Sequence, residues 1–200
     1  VVASSSSIYG DAPAYPCSED VLPRPVSPYG VTKLATEHLC LAYARPEVSD
    51  LRLALLRFFT VYGPRQRPDM AFRRFLEAAT TGRPVTVFGD GEQTRDFTYV
   101  SDAVQSVLLA LDSPQRAETF NVGGGARVTV NHVLDLVGQV TGRPVKVVHA
   151  PTRPGDVRDT GADCRRAAAL LGYRPEVDLL TGLTAEASWL ASRGAEVHPV

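Results

Sequence analysis

Residues 51–61 read Leu-Arg-Leu-Ala-Leu-Leu-Arg-Phe-Phe-Thr-Val, a nearly continuous apolar run that indicates the class of fold. A strand with one face in water alternates apolar and polar residues, whereas a strand covered on both faces is almost continuously apolar. The run has the length of a strand, and its residues tolerate the extended backbone. It therefore predicts a buried strand of a sheet that carries helices on both sides.

Helix and strand patterns alternate on either side of this run. Ser27 followed by Pro28 is a typical helix start, and the helix should extend to about Ala44, since Pro46 cannot continue it. Asp69, Ser101 and Thr129 are predicted to cap three further helices, which end at Gly82, about Leu111 and near Gly142. Two more helices are predicted around 163–171 and 180–192, and further strands over 1–5, 85–88, 119–122 and 145–149. Residues 11–26, with four prolines, read as a long loop. The alternation is typical of α/β layering.

Composition narrows the class of protein. The 200 residues are 44% apolar, enough for a substantial core, and the net charge of -1 gives no reason to expect nucleic acid or a membrane surface as a partner. No apolar run has the length of a membrane span, and the first residues do not resemble a signal peptide. Three scattered cysteines fit a reducing cytoplasm, and the four histidines lack ligand spacing. We expect a cytoplasmic protein without a metal site.

Tyr29 and Lys33 are the first candidates for chemistry, because they lie four residues apart in the first turns of the helix that Ser27 caps. That spacing places both side chains on one helix face. A free tyrosine stays protonated until about pH 10, and a nearby ammonium favours the phenolate that could act as a base. Among 21 basic residues only Lys33 and Lys146 are lysine. The alternative, a core tyrosine beside a solvated lysine, stays open on these residues alone.

Four serines at positions 4–7 stand where the first predicted strand ends. Ligands of α/β proteins bind at the carboxyl ends of strands, so a hydroxyl there could bridge a substrate oxygen and the tyrosine. A solvated turn is the alternative, and for serines in general it is the better explanation.

Several longer motifs follow one another in a recognisable order. They are SSSSIYG at 4–10, SPYGVTK at 27–33, LRFFTVYGPRQ at 56–66, GDGEQTRDFTYVSDAV at 89–104 and RPGDVRD at 153–159. Together they resemble the extended short-chain dehydrogenases/reductases of nucleotide-sugar metabolism, the NAD-dependent epimerases and dehydratases. The resemblance runs from Val1 to about Tyr173.

The resemblance implies an α/β fold made of the C-terminal part of a doubly wound (Rossmann) parallel sheet plus a smaller α/β substrate-binding lobe. Residues 1–66 and 97–123 would belong to the sheet, and 67–96 and 124–200 to the lobe. It also implies that the first strands and the glycine-rich NAD turn precede Val1, since no Gly-x-Gly-x-x-Gly pattern occurs in the 200 residues. We therefore expect this chain alone to be inactive and the full-length protein to be a homodimer.

Residue roles carry over from the same motifs. Ser5, Tyr29 and Lys33 match the catalytic serine, base and lysine of the family, and Tyr29, Lys33 and Phe58 would contact the cofactor, NAD. The expected substrate contacts are Ser6, Ser7, Thr60, Arg67, Arg95, Asp156 and Arg158. Arg95 and Arg158 match arginines that hold the pyrophosphate of a UDP-sugar, for which a bidentate guanidinium is suited. For Asp156, contact with the nucleotide ribose and a turn-capping role are equally open.

The residues after Ser5 bear on the reaction. The 4,6-dehydratases of the family need an acid and a base there, and decarboxylating relatives usually carry glutamate at the second position. This chain has Ser6 and Ser7, which cannot exchange a proton near neutral pH. What remains is 4-epimerisation through a 4-keto sugar, with NAD regenerated.

The substrate prediction depends on Thr60, Ser6 and Arg67, which match residues that contact the sugar carboxylate in UDP-glucuronate 4-epimerases. A buried carboxylate demands a cation and hydroxyl donors. We therefore favour UDP-glucuronate/UDP-galacturonate over UDP-glucose/UDP-galactose. The alternatives are a 4,6-dehydratase, an NADP-dependent sugar-nucleotide reductase and a non-enzymatic member of the family. The presence of Ser5, Tyr29 and Lys33 argues against the last of these.

Overall fold

The computed structural model describes residues 1–152 and 157–195, and these ranges contain eight strands and six α-helices. The strands are β1 (Val2–Ser5), β2 (Leu53–Phe58), β3 (Thr60–Tyr62), β4 (Val85–Phe88), β5 (Thr94–Tyr99), β6 (Ala117–Val122), β7 (Arg127–Thr129) and β8 (Val147–Ala150). The helices are α1 (Pro28–Tyr43), α2 (Ala71–Thr81), α3 (Val100–Leu111), α4 (Val130–Thr141), α5 (Arg165–Leu171) and α6 (Leu179–Ala195).

A three-stranded parallel sheet in the order β1-β2-β6 forms the first layer. Its register pairs Ser5 with Phe58, and Phe58 with Val122, so the three strands end side by side. The predicted α/β class is confirmed. Since parallel strands present their carboxyl ends at one edge, the serines after β1 and the residues after β2 meet there. The expected division into a sheet part and a lobe stays a prediction.

We predicted one strand for residues 51–61. The structure instead has two strands here, and they belong to different sheets. β2 ends at Phe58, and the N–H of Phe59 donates to the carbonyl of Val122 at 2.9 Å. Thr60 then pairs with Phe97 in a second sheet of order β3-β5-β7. β2 is almost entirely buried and β3 is partly buried, and the apolar pattern of the sequence continues through the change of sheet without any sign of it.

Strands β5 and β7 were not predicted. β5 buries Asp96 and Thr98 while its other residues are partly exposed, which inverts the usual alternation of apolar and polar positions. The carboxylate of Asp96 accepts hydrogen bonds from the N–H groups of Gly124 at 2.7 Å and Ala162 at 3.0 Å. Burial raises the pKa of Asp96, although these N–H groups act against it. The buried face of β5 thus carries polar residues, whereas the sequence pattern of a strand predicts apolar residues on its buried face.

Two of the predicted helix caps are confirmed. The Ser27 hydroxyl accepts the N–H of Gly30 at 3.1 Å, with Pro28 in the first turn, and the Thr129 hydroxyl accepts the N–H of His132 at 3.1 Å. Each hydroxyl satisfies one of the N–H groups that lack a partner at the start of a helix.

Two other predicted caps are wrong. α2 begins after Met70 and α3 after Tyr99, and neither start has a side-chain cap. Asp69 pairs with Arg67 instead, at 3.0 Å. Apolar packing compensates for the missing caps, since Phe72 of α2 lies with Tyr62 in the buried cluster formed by α2, α4, α6 and β4. The third sheet, β4-β8, borders this cluster.

A buried ion pair joins α1 to the first sheet. The guanidinium of Arg57 on β2 binds both carboxylate oxygens of Glu37 on α1, at 2.9 and 2.7 Å. The Ser4 hydroxyl donates to the same carboxylate at 2.5 Å, and Arg57 also donates to the Tyr9 hydroxyl at 2.9 Å. Tyr9 in turn donates to Asn121 on β6 at 2.7 Å. One network therefore connects the helix, all three strands and the segment after β1.

No helix among the described residues is both long and apolar enough to cross a bilayer.

Glu37→Ala should destabilise the full-length protein by about 3–5 kcal/mol, because it leaves the Arg57 guanidinium buried and unpaired. Urea unfolding followed by circular dichroism measures the loss. Glu47→Ala is the control, since Glu47 pairs with Arg45 on the surface and its removal should cost about 0.5 kcal/mol or less. Equal effects of the two substitutions would show that the Glu37 pair does not hold the helix.

Candidate active site

A cleft of about 760 Å³ opens at the carboxyl ends of β1 and β2. Helix α1 borders it on one side and the segment after β3 on the other. Eight of the predicted site residues line it: Ser5, Ser6, Ser7, Tyr29, Lys33, Phe58, Thr60 and Arg67. The strand ends and α1 bring these residues together from three separate motifs and, for Arg67, from the residue that follows the third. Their individual roles stay predictions.

The serines form a short 3-10 turn at the end of β1, with Ser5 as its cap. The Ser5 hydroxyl accepts the N–H of Ser7 at 3.2 Å and donates to the Ser7 hydroxyl at 3.2 Å. The rest of the turn packs under α1, since Ile8 is fully buried. Backbone and side chain together fix the Ser5 hydroxyl at the floor of the cleft.

Helix α1 presents Tyr29 and Lys33 to the same cleft. The Tyr29 side chain is exposed, at 54%, so its hydroxyl is accessible to a ligand. The Lys33 ammonium donates to the carbonyl of Ala3 on β1 at 3.0 Å and lies 5.7 Å from the centroid of the Tyr29 ring. This backbone bond holds the positive charge beside the tyrosine and leaves two of the three ammonium N–H groups for other acceptors.

Gly30 allows α1 to approach the serine turn closely. A Cβ at this position would lie 2.4 Å from the carbonyl oxygen of Ser7 and 3.0 Å from the side chain of Pro25. Contacts of 2.4 Å to backbone are not tolerated, so only glycine permits this packing. The distance between the helix that carries Tyr29 and the turn that carries Ser5 thus depends on Gly30.

The charge of the cleft is entirely positive. Among the described residues that line it, Lys33, Arg65 and Arg67 are cationic and none is acidic. The Arg67 guanidinium pairs with Asp69 at 3.0 Å, but both side chains are about 70% exposed, at 73% and 69%. Such an exposed pair contributes little and can be exchanged for another anion. The arrangement suits an anionic ligand.

Two predicted substrate contacts lie elsewhere. Arg95 on β5 donates to the carbonyl of Arg158 at 2.9 Å, and the Arg158 side chain pairs with Asp90 at 3.5 Å. These two arginines are therefore close to each other but outside the residues that line the cleft. Asp156 lies outside the described residues.

Sequence reasoning missed Glu37, Arg57 and Tyr9. Glu37 follows Lys33 by four residues, so helical spacing would have placed its carboxylate on the face of α1 that meets the sheet. Arg57 is a charged residue inside a buried run, which demands a partner. Those two observations together could have predicted the pair.

Comparison with families of known proteins gives one match over most of the chain. Residues 1–123 match the family model described as the NAD dependent epimerase/dehydratase family. A similar protein is the uncharacterized UDP-glucose epimerase YtcB of Bacillus subtilis, 44% identical over 193 residues. The match covers 96% of this chain and 60% of that relative. The chain therefore spans about three fifths of the length of such relatives.

Solved structures agree with this match. The complex of MoeE5 with UDP-glucose and NAD superimposes with a TM-score of 0.92 at 45% identity, covering 96% of this chain and 64% of that one. UDP-glucuronic acid 4-epimerase from Bacillus cereus, in complex with UDP-glucuronic acid and NAD, gives a TM-score of 0.89 at 40% identity, covering 96% and 60%. At these identities the likeness extends beyond the fold to the sequence.

Gly30→Ala should lower the melting temperature of the full-length protein, because the new methyl group would press α1 away from Ser7. The matched control is Gly138→Ala in α4, where a Cβ would meet no atom closer than 3.7 Å. Alanine there should raise stability by about 0.5–1 kcal/mol through its helix preference. Thermal unfolding of both variants checks the signs, and stabilisation by Gly30→Ala would contradict the close packing described above.

Proposed function

The chain belongs to the NAD dependent epimerase/dehydratase family, and from that premise we propose that the full-length protein interconverts the C4 epimers of a UDP-sugar. The observation that carries the proposal is the composition of the cleft. Ser5, Tyr29 and Lys33 face it together, while Ser6 and Ser7 occupy the positions where elimination would need an acid and a base. Proton transfer at one oxygen is therefore supported, and removal of water from the sugar is not.

The donor set of the cleft fits the nicotinamide half of NAD. The Lys33 ammonium has two N–H groups beyond its bond to Ala3, and Phe58 offers an aromatic side chain at the end of β2. Lys33 and Tyr29 would hold ribose hydroxyls, and Phe58 would pack beside the ring. When bound, NAD would take a hydride from C4 of the sugar and return it to the opposite face.

The side chains of the chain handle the proton. In this proposal Tyr29 takes the proton of the C4 hydroxyl as the carbonyl forms and gives it back when the carbonyl is reduced. Lys33 stabilises the phenolate through its charge, since it is held beside the ring by the Ala3 carbonyl. Ser5, held by the N–H of Ser7, would turn its single hydroxyl proton from Ser7 to the sugar oxygen and so keep that oxygen near the tyrosine.

We propose a hexuronate as the substrate in preference to a neutral hexose. The cleft is cationic, and the exposed pair of Arg67 with Asp69 can be exchanged for a pair with a substrate carboxylate. Thr60 at the start of β3 and Ser6 would supply the hydroxyl donors. MoeE5 has been solved with UDP-glucuronic acid as well as UDP-glucose, so UDP-glucose stays the runner-up.

Two further expectations belong to the full-length protein. The substrate pyrophosphate would be held by Arg95 and Arg158, which lie together at the edge of β5. A homodimer would cover the exposed apolar side chains of α1, among them Leu39 and Tyr43.

Tyr29→Phe should reduce turnover of the full-length protein by about 10²–10⁴-fold, the usual contribution of a positioned acid or base. Substrate affinity should change little, because the ring and the Lys33 ammonium remain. Steady-state kinetics and calorimetric titration with UDP-glucuronate separate the two quantities. Turnover within a factor of three of the parent would mean that another group moves the proton.

Arg67→Ala should lower kcat/KM for UDP-glucuronate at least ten-fold, because a hydrogen bond to a charged group is worth about 1.5–3 kcal/mol. Any activity on UDP-glucose should change little. Arg74→Ala is the matched control, since Arg74 is an exposed arginine of α2 outside the residues that line the cleft. Unchanged UDP-glucuronate kinetics in Arg67→Ala, or parallel losses on both sugars, would overturn the hexuronate proposal and leave the epimerase proposal standing.

A further inference from the structure

The segment 63–70 between β3 and α2, here called the cleft loop, lies against helix α6. The contact is close, because a Cβ on Gly182 of α6 would stand 2.3 Å from the hydroxyl of Tyr62, just before the loop. Glu186 follows Gly182 by one helical turn and therefore meets the chain at the next residue, Gly63. Helix α6 thus supports the point where the cleft loop begins.

Glu186 is fully buried, with 0% of its surface exposed. Its Oε2 accepts the N–H of Gly63 at 3.0 Å, and among the described residues its Oε1 has no hydrogen-bond partner. A buried carboxylate with one donor is costly, and a buried carboxylic acid with one donor is much less so. The two protonation states of Glu186 thus differ in the strength of a single bond to the loop.

The charged and titratable groups around Glu186 come from several elements. Arg73 of α2 favours the carboxylate, while Tyr62 of β3 is neutral, its pKa raised by burial and, to smaller degrees, by Asp178, Asp102 and other nearby groups. Helix α4 contributes apolar residues to this cluster. Burial is the largest influence and raises the pKa of Glu186 to about 7.

Arg73 of α2 also holds the middle of the cleft loop, at Gln66. Gln66 donates from Nε2 to the carbonyl of Val61 at 3.2 Å and accepts the backbone N–H of Arg73 at 3.1 Å. The Arg73 guanidinium donates to the Gln66 carbonyl at 3.2 Å. The loop is therefore held at Gly63 by Glu186 and at Gln66 by Arg73, and Arg67 follows immediately.

We propose that Glu186 is a positioning residue of the cleft: its carboxylate holds the cleft loop at Gly63, and protonation loosens the loop and weakens substrate binding. The effect on substrate rests on the function proposed above, whereas the effect on the loop does not. A charge-assisted hydrogen bond is about twice as strong as a neutral one, so the ionised carboxylate forms the stronger hydrogen bond with the N–H of Gly63. The carboxylate is the main species above pH 7, and the loop is tightest there.

The chain contains a single tryptophan, Trp189, which reports on this region without substrate. It lies three residues after Glu186 on α6, and its ring is 5.6 Å from the guanidinium of Arg73. The emission of Trp189, taken as the difference between the full-length protein and its Trp189→Phe variant, should titrate with a midpoint near pH 7. Glu186→Gln keeps an acceptor for Gly63 but cannot titrate, so the midpoint should disappear.

Glu77→Gln is the matched control. It removes a partly exposed carboxylate that pairs with the same arginine at 2.8 Å but does not reach Gly63. This variant should keep the midpoint near pH 7. A flat emission profile of the parent protein between pH 6 and 8, or an unchanged midpoint in Glu186→Gln, would overturn the proposal whatever the activity.

The KM for UDP-glucuronate is the second readout. In the parent it should rise about three- to ten-fold from pH 8 to pH 6, as a charge-assisted bond becomes a neutral one. In Glu186→Gln it should be nearly constant over that range, and kcat should follow the parent. The same rise in Glu186→Gln would overturn the proposal. If the protein turns over neither sugar, the proposed function is wrong. The fluorescence titration then tests by itself whether protonation of Glu186 loosens the cleft loop.

Discussion

The bidentate contact between Arg57 and Glu37 fixes the geometry on which the rest of the molecule depends. It joins the central strand of the first sheet to the middle of α1, and through Ser4 and Tyr9 it reaches the strands on both sides. Breaking one partner of such a buried pair costs far more than the pair contributes to stability. The contact therefore specifies how α1 lies on the sheet, rather than how stable the sheet is.

The cleft follows from that docking. With α1 fixed, Lys33 reaches the backbone of β1, and Gly30 brings the helix against the serine turn. The change of sheet after Phe58 leads the chain along the opposite wall, where the cleft loop carries two arginines. The result is a cationic cleft with a tyrosine and a lysine at its edge. That composition suits an anionic sugar nucleotide and proton transfer at a single oxygen.

The sequence predicted the parts of the fold whose signals are local. Ser27 and Thr129 cap helices because a hydroxyl before an apolar periodic run satisfies a free N–H group. It could not show the break after Phe58, since the residues on both sides of the break are apolar, nor β5, whose buried face carries Asp96. Asp69 looked like a cap but pairs with Arg67. Eight of the predicted site residues share one cleft because β1 and β2 end side by side and α1 packs beside them, whereas Glu37 and Glu186 contact partners that are distant in sequence.

We propose that this cleft belongs to a UDP-sugar 4-epimerase, and product analysis by NMR in D₂O tests the proposal most directly. The full-length protein would be incubated with NAD and, separately, with UDP-glucuronate and UDP-glucose. We expect the C4 epimer of at least one sugar, with protium retained at C4, because the hydride leaves and returns to the same carbon without exchange with solvent. A 4-keto-6-deoxy product, deuterium at C4, or no product from either sugar would contradict it.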